Sequence, residues 1–163
     1  KRNKMAIGLN HYSELLNYIK GLAEQDSFVK TVTQGDMSDV DLNKANIFNL
    51  VHIDILKGSF LSEHQMITFD VEILSAQVRD ANKQDDGDKF WNQDNEVDNL
   101  NEAMAVLNRL WFKMIQDFQD NNIVVDGGAS LEQVTEWNKN LLDGWLMTFT
   151  ISLPNTTIGL CTC

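Results

Sequence analysis

The stretch that decides the fold is a run of alternating residues near the end of the sequence, Trp145-Leu146-Met147-Thr148-Phe149-Thr150-Ile151-Ser152-Leu153. Successive side chains of a β-strand point to opposite faces, so the odd-numbered apolar residues would line a buried face. Thr148, Thr150 and Ser152 would meet water or a neighbouring subunit. Pro154, the only proline in the chain, ends the run and lacks a backbone donor. The run therefore predicts a sheet strand that is covered on one face.

Two earlier stretches alternate in the same way, Ile47 to Leu56 and Ile67 to Ile73. Their spacing predicts two antiparallel strands, joined by a hairpin connection over Lys57 to Gln65, which contains a glycine and several polar residues. A shorter run of β-forming residues, Phe28 to Thr33, predicts a further strand. The polar residues 37–46, with spaced Asp and Asn, predict a surface loop.

Two segments have helical spacing. His11 to Gln25 carries apolar residues three and four positions apart and follows Asn10, a residue that favours the N-cap position. The longest such segment runs from about Glu96 to Gln119 and is preceded by Asp94 or Asn95 as a cap. Acids in its first turn suit the positive end of the helix dipole. Its apolar stripe is expected to cover the sheet.

The segment from Ser130 to Leu142 fits either type of element. Its apolar residues recur three and four positions apart, as in a helix, but also at alternate positions, as in a strand. We favour the strand, which would form a second hairpin with the closing run and use Asn138 to Asp143 as its turn. The preceding Gly127-Gly128 lacks the lysine and the further glycines of a phosphate-binding loop, and it predicts a simple turn.

These elements together predict an α+β fold in which two main helices cover one face of a mostly antiparallel sheet of about four to five strands. The length of 163 residues is that of one domain, which we take to span residues 1–163 with a long acidic loop at about residues 79–95. The apolar fraction of 43% and the charged fraction of 23% are typical of a soluble globular protein.

The formal net charge of -11 bears on possible partners. A strongly negative surface repels a phosphate backbone, so specific nucleic-acid binding is not expected. A protein that surrounds DNA without holding it remains compatible with this charge, since a repulsive wall lets a polyanion slide. No apolar stretch approaches the roughly 18 residues that span a bilayer, and the first residues lack the hydrophobic region of a signal peptide. Neither a membrane location nor export is expected.

No pattern of reactive residues indicates an enzyme. His11, His52 and His64 lack the spacing of a zinc site, and a structural or solvent role is expected for them. Cys161 and Cys163 offer two soft donors with no second pair, and they are expected to be free thiols. No nucleophile motif is present, and carboxylates are too numerous for one pair to be chosen as acid and base. The sequence predicts no catalytic residue, no cofactor and no metal.

The segment from Arg79 to Asn95 is the most polar part of the chain and predicts a long mobile loop. Loops of this length in a compact domain are often functional, so it is a candidate subunit-contact arm whose aromatic residues anchor on a partner. The alternative is a solvated loop whose two aromatic residues fold back on their own core. Its spacing does not match a calcium-binding loop. The candidate contact residues are Asp85, Asp86, Asp88, Phe90 and Trp91.

The order of these elements, together with several short stretches, resembles the tail-terminator or tail-completion proteins of bacteriophages, which form rings at the phage neck. The resemblance covers nearly the whole chain, and none of its stretches is catalytic. The stretches are Thr31-Val32-Thr33-Gln34-Gly35-Asp36, Asp41-Leu42-Asn43-Lys44 leading into Ile47-Phe48-Asn49-Leu50-Val51-His52-Ile53, Asp94-Asn95-Glu96-Val97-Asp98-Asn99-Leu100-Asn101, and Leu142-Asp143-Gly144-Trp145 ahead of Pro154-Asn155.

The resemblance implies a virion structural protein that joins or caps the tail tube. Its partners would be copies of itself in a sixfold or twelvefold ring and the adjacent neck or tail proteins, after assembly in the host cytoplasm. DNA would pass through the lumen without specific binding, which the acidic charge would favour. The residues also permit an alternative function, that of an acidic adaptor or inhibitor that binds one basic protein partner.

Overall fold

The computed structural model describes residues 12–40, 48–61, 66–80, 95–119, 123–137 and 141–154. In these ranges the chain forms two α-helices, five strands and one 3-10 turn at Met37–Val40. The helices are α1, Tyr12–Gln25, and α2, Glu96–Gln119. The strands are β1, Thr31–Gln34; β2, Leu50–Leu61; β3, Met66–Val78; β4, Val124–Trp137; and β5, Leu142–Pro154.

The five strands form one sheet in the order β1-β2-β3-β5-β4. The β1–β2 pair is parallel, and the other three pairs are antiparallel. In the centre, Val71 of β3 lies opposite Phe149 of β5. The fold is therefore α+β with a mostly antiparallel sheet, as the sequence predicts.

Both helices pack on the face of the sheet that carries the odd-numbered residues of β3 and β5. Phe149 is 3% exposed and meets the ring of Trp111 on α2 edge-on, with the ring centroids 5.5 Å apart. Removal of these apolar side chains from water is the main force that holds the layers together. Fully buried members of this core include Leu15, Ile19, Val71, Ile73, Met114 and Ile151.

Polar contacts also join the helices. Arg109 of α2 donates two hydrogen bonds, of 2.6 and 3.0 Å, to the carboxylate of Asp26, just beyond the end of α1. Burial alone would raise the pKa of Asp26, but the hydrogen bonds from Arg109 and from the N–H of Phe28 lower it overall. Tyr18 donates to Asp117 at 2.9 Å, and burial followed by this hydrogen bond raises the tyrosine pKa above its ordinary value.

A smaller apolar cluster lies on the opposite face, at one end of the sheet. The 3-10 turn contributes Val40, which is 2% exposed, so this part of the expected surface loop is partly internal. The rest of that expected loop, residues 41–46, lies outside the described residues. The buried members of the cluster are Val40, Leu50, Leu74, Ala76 and Leu142.

Several strand boundaries differ from the sequence predictions. β3 continues past Ile73 to Val78, and β4 begins at Val124, before Ser130. The turn predicted over Asn138 to Asp143 is too long, because Leu142 and Asp143 already pair with β3 as part of β5. β1 begins at Thr31 instead of Phe28. Lys57 to Leu61, predicted as part of a hairpin connection, continues β2 and pairs with β3 after a bulge at Leu56, because backbone pairing extends past the alternating apolar residues. Gly127-Gly128 is not a turn: both glycines form a bulge inside β4, with φ of 69° and 88°, values that favour glycine. The strand interpretation of the segment that starts at Ser130 is confirmed.

Candidate functional site

The sheet face opposite the helices, which we call the open face, is polar over its central part. It is built by alternate residues of β2, β3, β5 and β4, whose side chains point away from the helices. Two cross-strand rows define it: Asp54, Glu72, Thr148 and Ser130 lie in one, and Lys57, Asp70, Thr150 and Asp126 lie in the next. Lys57 is the only lysine or arginine in the described strands.

The acids of the open face repel one another. Glu72 lies directly opposite Asp54. Partial burial raises the pKa of Glu72, and the nearby charges of Asp54 and Glu132 raise it further. Like charges opposite each other in a sheet destabilise it, so the fold does not require this arrangement. The face is instead an acidic surface suited to a partner or a solvent boundary.

Hydroxyl groups hold part of this face in place. Thr150 Oγ1 donates to Asp70 Oδ1 at 2.8 Å, and the hydroxyls of Thr68 and Ser152 are 3.0 Å apart. Thr148 and Thr150 are half-buried. Ser152, which the alternating run predicts to meet water or a neighbouring subunit, is 4% exposed. That prediction is wrong for Ser152 because its hydroxyl is enclosed beside Thr68.

His52 points to the same face but is closed off from solvent at 2% exposure. Its Nε2 lies 3.0 Å from the carbonyl oxygen of Gly35, and its Nδ1 lies 2.7 Å from Thr33 Oγ1. A carbonyl only accepts, so Nε2 donates to Gly35, and Nδ1 shares the second hydrogen bond with the Thr33 hydroxyl. The imidazole joins β1 and the following turn to β2, which is a structural role. His11 and His64 lie outside the described residues.

A buried charge network lies on the helix-covered face of the sheet, where β3 ends and α2 begins. Arg79 binds Asp143 through two hydrogen bonds, of 2.9 and 2.8 Å, and donates further bonds to Glu96 and Glu136 at 2.6 and 2.8 Å. The side chain of Asp143 is fully buried and that of Arg79 is 10% exposed. The hydrogen bonds that Arg79 donates to Asp143 are the main cause that raises the pKa of Arg79.

Hydrogen bonds beside this network hold both ends of the predicted contact loop, residues 79–95. The N–H of Asp80 donates to Asn95 Oδ1 at 2.6 Å, and the amide groups of Asn95 and Asn99 donate to the carbonyl oxygen of Val78. The candidate contact residues of this loop, Asp85, Asp86, Asp88, Phe90 and Trp91, lie outside the described residues. The sequence pattern does not reveal the network, because Arg79 begins the segment that is predicted to be a mobile loop. The available signal was a lone arginine directly after an apolar strand in an acidic chain.

A second surface feature is an apolar groove of about 410 Å³ between α2 and the edge strand β4. None of its lining side chains is charged. Phe112, which is 62% exposed, follows the lining residue Asn108 by four positions and so extends the same flank of α2. The main lining residues are Met104, Leu107, Trp111, Ala129, Leu131 and Met147.

A third feature is the outer end of the β2–β3 pair, which we call the arm and define as residues 56–61 with 66–70. Every residue from Leu56 to Leu61 is exposed, and Phe60 is 77% exposed. β1 pairs with β2 only at Leu50 to Ile53, so past Ile53 the outer edge of β2 has no strand beside it among the described strands. The sequence predicts a connection over Lys57 to Gln65, and no pattern in that segment indicates a contact surface.

The comparisons with known proteins add no family: no protein-family model matches the chain, and no curated protein matches it. Among the described residues, no helix is long and apolar enough to cross a membrane. In the same part of the chain, no group of three or more His, Cys, Asp or Glu side chains is placed to hold a metal ion.

Proposed function

We propose that this protein is a structural subunit of a bacteriophage neck, a tail-terminator or tail-completion protein that forms a ring and lets DNA pass through its centre. The observation that carries the proposal is the open face, an acidic sheet surface with a single lysine among its described strand residues. In the ring, this face lines the channel and the helices lie outside. The protein acts in the virion as an assembled part and not as an enzyme.

Electrostatics supports this orientation. The chain carries a net charge of -11, and the exposed acids Asp126 and Glu132 add to the half-buried acids on the open face. A channel wall of this sign does not replace the counterions of DNA, so it neither binds the backbone nor slows its passage. The hydroxyl groups between the acids add no positive charge to this wall.

The two sheet edges support the assembly. β4 ends the sheet on one side, and past Ile53 the arm of β2 ends it on the other. The two edges carry different apolar surfaces, the groove and the arm. Contacts between unlike surfaces repeat from copy to copy, and they close into a ring when the rotation allows it.

The direct test is mass spectrometry of purified particles of the phage that encodes the chain, combined with electron microscopy of the neck. We expect the protein in the particles at a fixed copy number, together with a ring of density on the tail axis. Absence of the protein from purified particles would contradict the proposal.

The lining role of the open face has its own test. Phage carrying Asp126→Lys and Glu132→Lys together should assemble but show a lower infectious titre per particle, because the added lysines bind the DNA backbone. The matched control is Asp98→Lys with Glu24→Lys, two exposed helix acids, which should leave the titre per particle unchanged. An equal loss in both double variants would show that the face does not line the channel.

A second candidate function is an acidic adaptor or inhibitor of one basic protein. The same open face favours it, because mutually repelling acids are retained where a cationic partner relieves the repulsion. A stable one-to-one complex with a basic protein, together with absence from virions, would support this function over the first.

A further inference from the structure

The described residues contain two Asp-Gly pairs, Asp126-Gly127 in β4 and Asp143-Gly144 in β5. A third pair, Asp86-Gly87, lies outside the described residues. An aspartate followed by glycine is open to a spontaneous backbone rearrangement, because glycine has no Cβ to shield its nitrogen from the neighbouring carboxyl group. The rearrangement requires the side chain and the following peptide unit to turn toward each other. The surroundings of each pair therefore decide whether it reacts.

The first pair lies in a bulge of the edge strand β4. Asp126 pairs with Thr150 and Ala129 pairs with Phe149, so the two glycines between them have no partner residue in β5. Both glycines have positive φ, and nothing lies within 4 Å of a Cβ added to either. Bulges leave their extra residues outside the strand ladder. The peptide unit that follows Asp126 therefore has room to turn.

The Asp126 side chain is exposed to solvent, as are Gly127 and Gly128. The hydroxyl group of Thr150, the residue opposite Asp126, donates to Asp70 at 2.8 Å. The Asp126 carboxyl group is therefore in contact with water. This contact leaves the group free to rotate, and it supplies the water molecule that the second step of the rearrangement consumes.

The pair Asp143-Gly144 has the opposite surroundings. The Asp143 side chain is fully buried and accepts two hydrogen bonds from Arg79, of 2.9 and 2.8 Å, and a third from the N–H of Glu136 at 3.2 Å. Gly144 pairs with Ala76 on one side and with Val134 on the other. A carboxylate held by three hydrogen bonds, next to a peptide unit enclosed between two strands, does not reach the following nitrogen.

We propose that Asp126 is a site of isoaspartate formation in the folded protein and that the fold protects Asp143 from the same reaction. In the first step the backbone nitrogen of Gly127 attacks Cγ of Asp126. The N–Cγ bond forms, the nitrogen loses its proton, and a carboxyl oxygen leaves as water, which gives a five-membered succinimide. In the second step water adds to one of the two ring carbonyl groups and opens the ring.

The position of water addition decides the product. Addition at Cγ restores aspartate. Addition at the original backbone carbonyl carbon breaks its bond to the Gly127 nitrogen, and the chain then runs through Cγ as isoaspartate. One water molecule is lost and one is regained, so the mass is unchanged and no oxidant or other reactant is needed.

The product fits this place in the fold. Isoaspartate adds one carbon atom to the backbone and keeps the negative charge on a carboxylate bound directly to Cα. β4 already holds two extra residues at this point, so the added atom falls where the ladder is interrupted. The inference goes beyond the neck function and does not rest on it, because it uses only the bulge and its exposure.

Ageing of the folded protein tests the site. The purified chain is incubated for several weeks at about pH 6, where a small part of an ordinary carboxylate is protonated and can lose water. Trypsin then separates the two pairs into peptides 114–139 and 140–163 and places Asp86-Gly87 in a third. Electron-transfer fragmentation locates isoaspartate in each peptide. We expect roughly tenfold more at residue 126 than at residue 143, because buried strands open rarely in the folded state.

The unfolded chain is the matched control. In guanidinium chloride both pairs are exposed, and isoaspartate should form at similar rates at residues 126 and 143. Similar rates in the folded protein as well would overturn the proposal. So would a folded protein that forms none at residue 126 under conditions in which the unfolded chain forms it.

A conservative variant assigns the signal to one residue. Asp126→Glu keeps the charge but disfavours the reaction, because the corresponding ring would have six members. The variant should remove the isoaspartate from peptide 114–139. Isoaspartate that persists there would move the site to Asp117 or Asp120 and overturn the proposal.

Discussion

The two faces of the sheet contribute differently to stability: the face under the helices stabilises the fold, and the open face carries residues that work against it. The face under the helices is continuous, apolar and enclosed, with Val71, Ile73 and Ile151 all 0% exposed. The open face places Asp54 opposite Glu72, an arrangement that works against folding. A sheet needs one well-packed face to fold, so the other is free to carry residues selected for contact with its surroundings. The same strand β5 serves both functions through alternate residues.

The largest test of this difference uses two neighbouring residues of β5. Phe149→Asp places an unpaired carboxylate in the enclosed core, and we expect a loss of several kcal/mol, enough to unfold the chain. Thr148→Asp makes a similar change one residue earlier on the open face, and it should cost about 1 kcal/mol or less. Circular dichroism during urea unfolding measures both. Similar stability of the two variants would contradict the assignment of the faces.

The next test concerns the buried ion pair between Arg79 and Asp143 at one end of the helix-covered face. Arg79→Met leaves the fully buried Asp143 without its main partner, and we expect a loss of about 3–5 kcal/mol in the free energy of unfolding. Arg79→Met combined with Asp143→Leu should recover much of that loss, because the uncompensated charge is then gone.

The matched control for Arg79 is Lys113→Met. Lys113 pairs with Asp117 at 2.9 Å, but its side chain is 53% exposed. Removal of such a surface pair should cost at most about 1 kcal/mol. If chemical unfolding finds equal losses for the two methionine variants, the network around Arg79 is not a buried anchor.

Gly144 is a position where the open face tolerates no side chain. An added Cβ would overlap the carbonyl oxygen of Ser75 and lie 2.8 Å from the Cα of Ala76, both backbone atoms of β3. We expect Gly144→Ala to lower the free energy of unfolding by about 1–3 kcal/mol. Gly21→Ala in α1 is the control of opposite sign: nothing lies within 4 Å of its added Cβ, and helix propensity should raise stability by about 0.5–1 kcal/mol. Urea midpoints with the same sign of change would contradict both assignments.

Sequence patterns predicted the helix-covered face better than any surface feature. The period of two in β5 and the spacing in α2 report burial directly, because only apolar side chains are stable in the core. Those patterns located the helix ends and the strand faces. The arm at Lys57 to Leu61 was missed because an exposed strand end has no periodic burial to report. The bulge at Gly127-Gly128 was predicted as a turn, because glycine supports a bulge as readily as a turn.

The candidate surfaces depended on tertiary pairing, which a single sequence reveals poorly. Asp54 and Glu72 lie in different strands, and only the register brings them opposite each other. The groove forms only where α2 lies beside β4, and the sequence of neither element contains a binding motif that would indicate it. Arg79 and Asp143 are far apart in the chain, so their pairing became visible only with the fold.

The smallest expected effect comes from the acids of the open face. The pKa of Glu72 is raised in the folded protein, so the folded state holds a proton that the unfolded state has released between the two pKa values. The contribution of Glu72 to the free energy of unfolding is therefore fully present below its pKa in the unfolded state. It is lost as the pH rises through its pKa in the folded state. At neutral pH the ionised Glu72 destabilises the sheet. Glu72→Gln removes that charge and should raise stability at pH 7 by about 0.2–1 kcal/mol.

The pH dependence of this gain separates repulsion from a simple packing change. Below the unfolded pKa, near pH 3, both forms of residue 72 are uncharged, so the advantage of Glu72→Gln should vanish. Glu14→Gln, at a half-buried position on α1 away from the open face, serves as the control and should show no comparable gain at pH 7. Thermal unfolding at the two pH values measures the difference. A gain that persists at pH 3 would mean that packing, and not charge, makes Glu72 unfavourable. The open face would then lack the repulsion between acids that a basic partner would relieve.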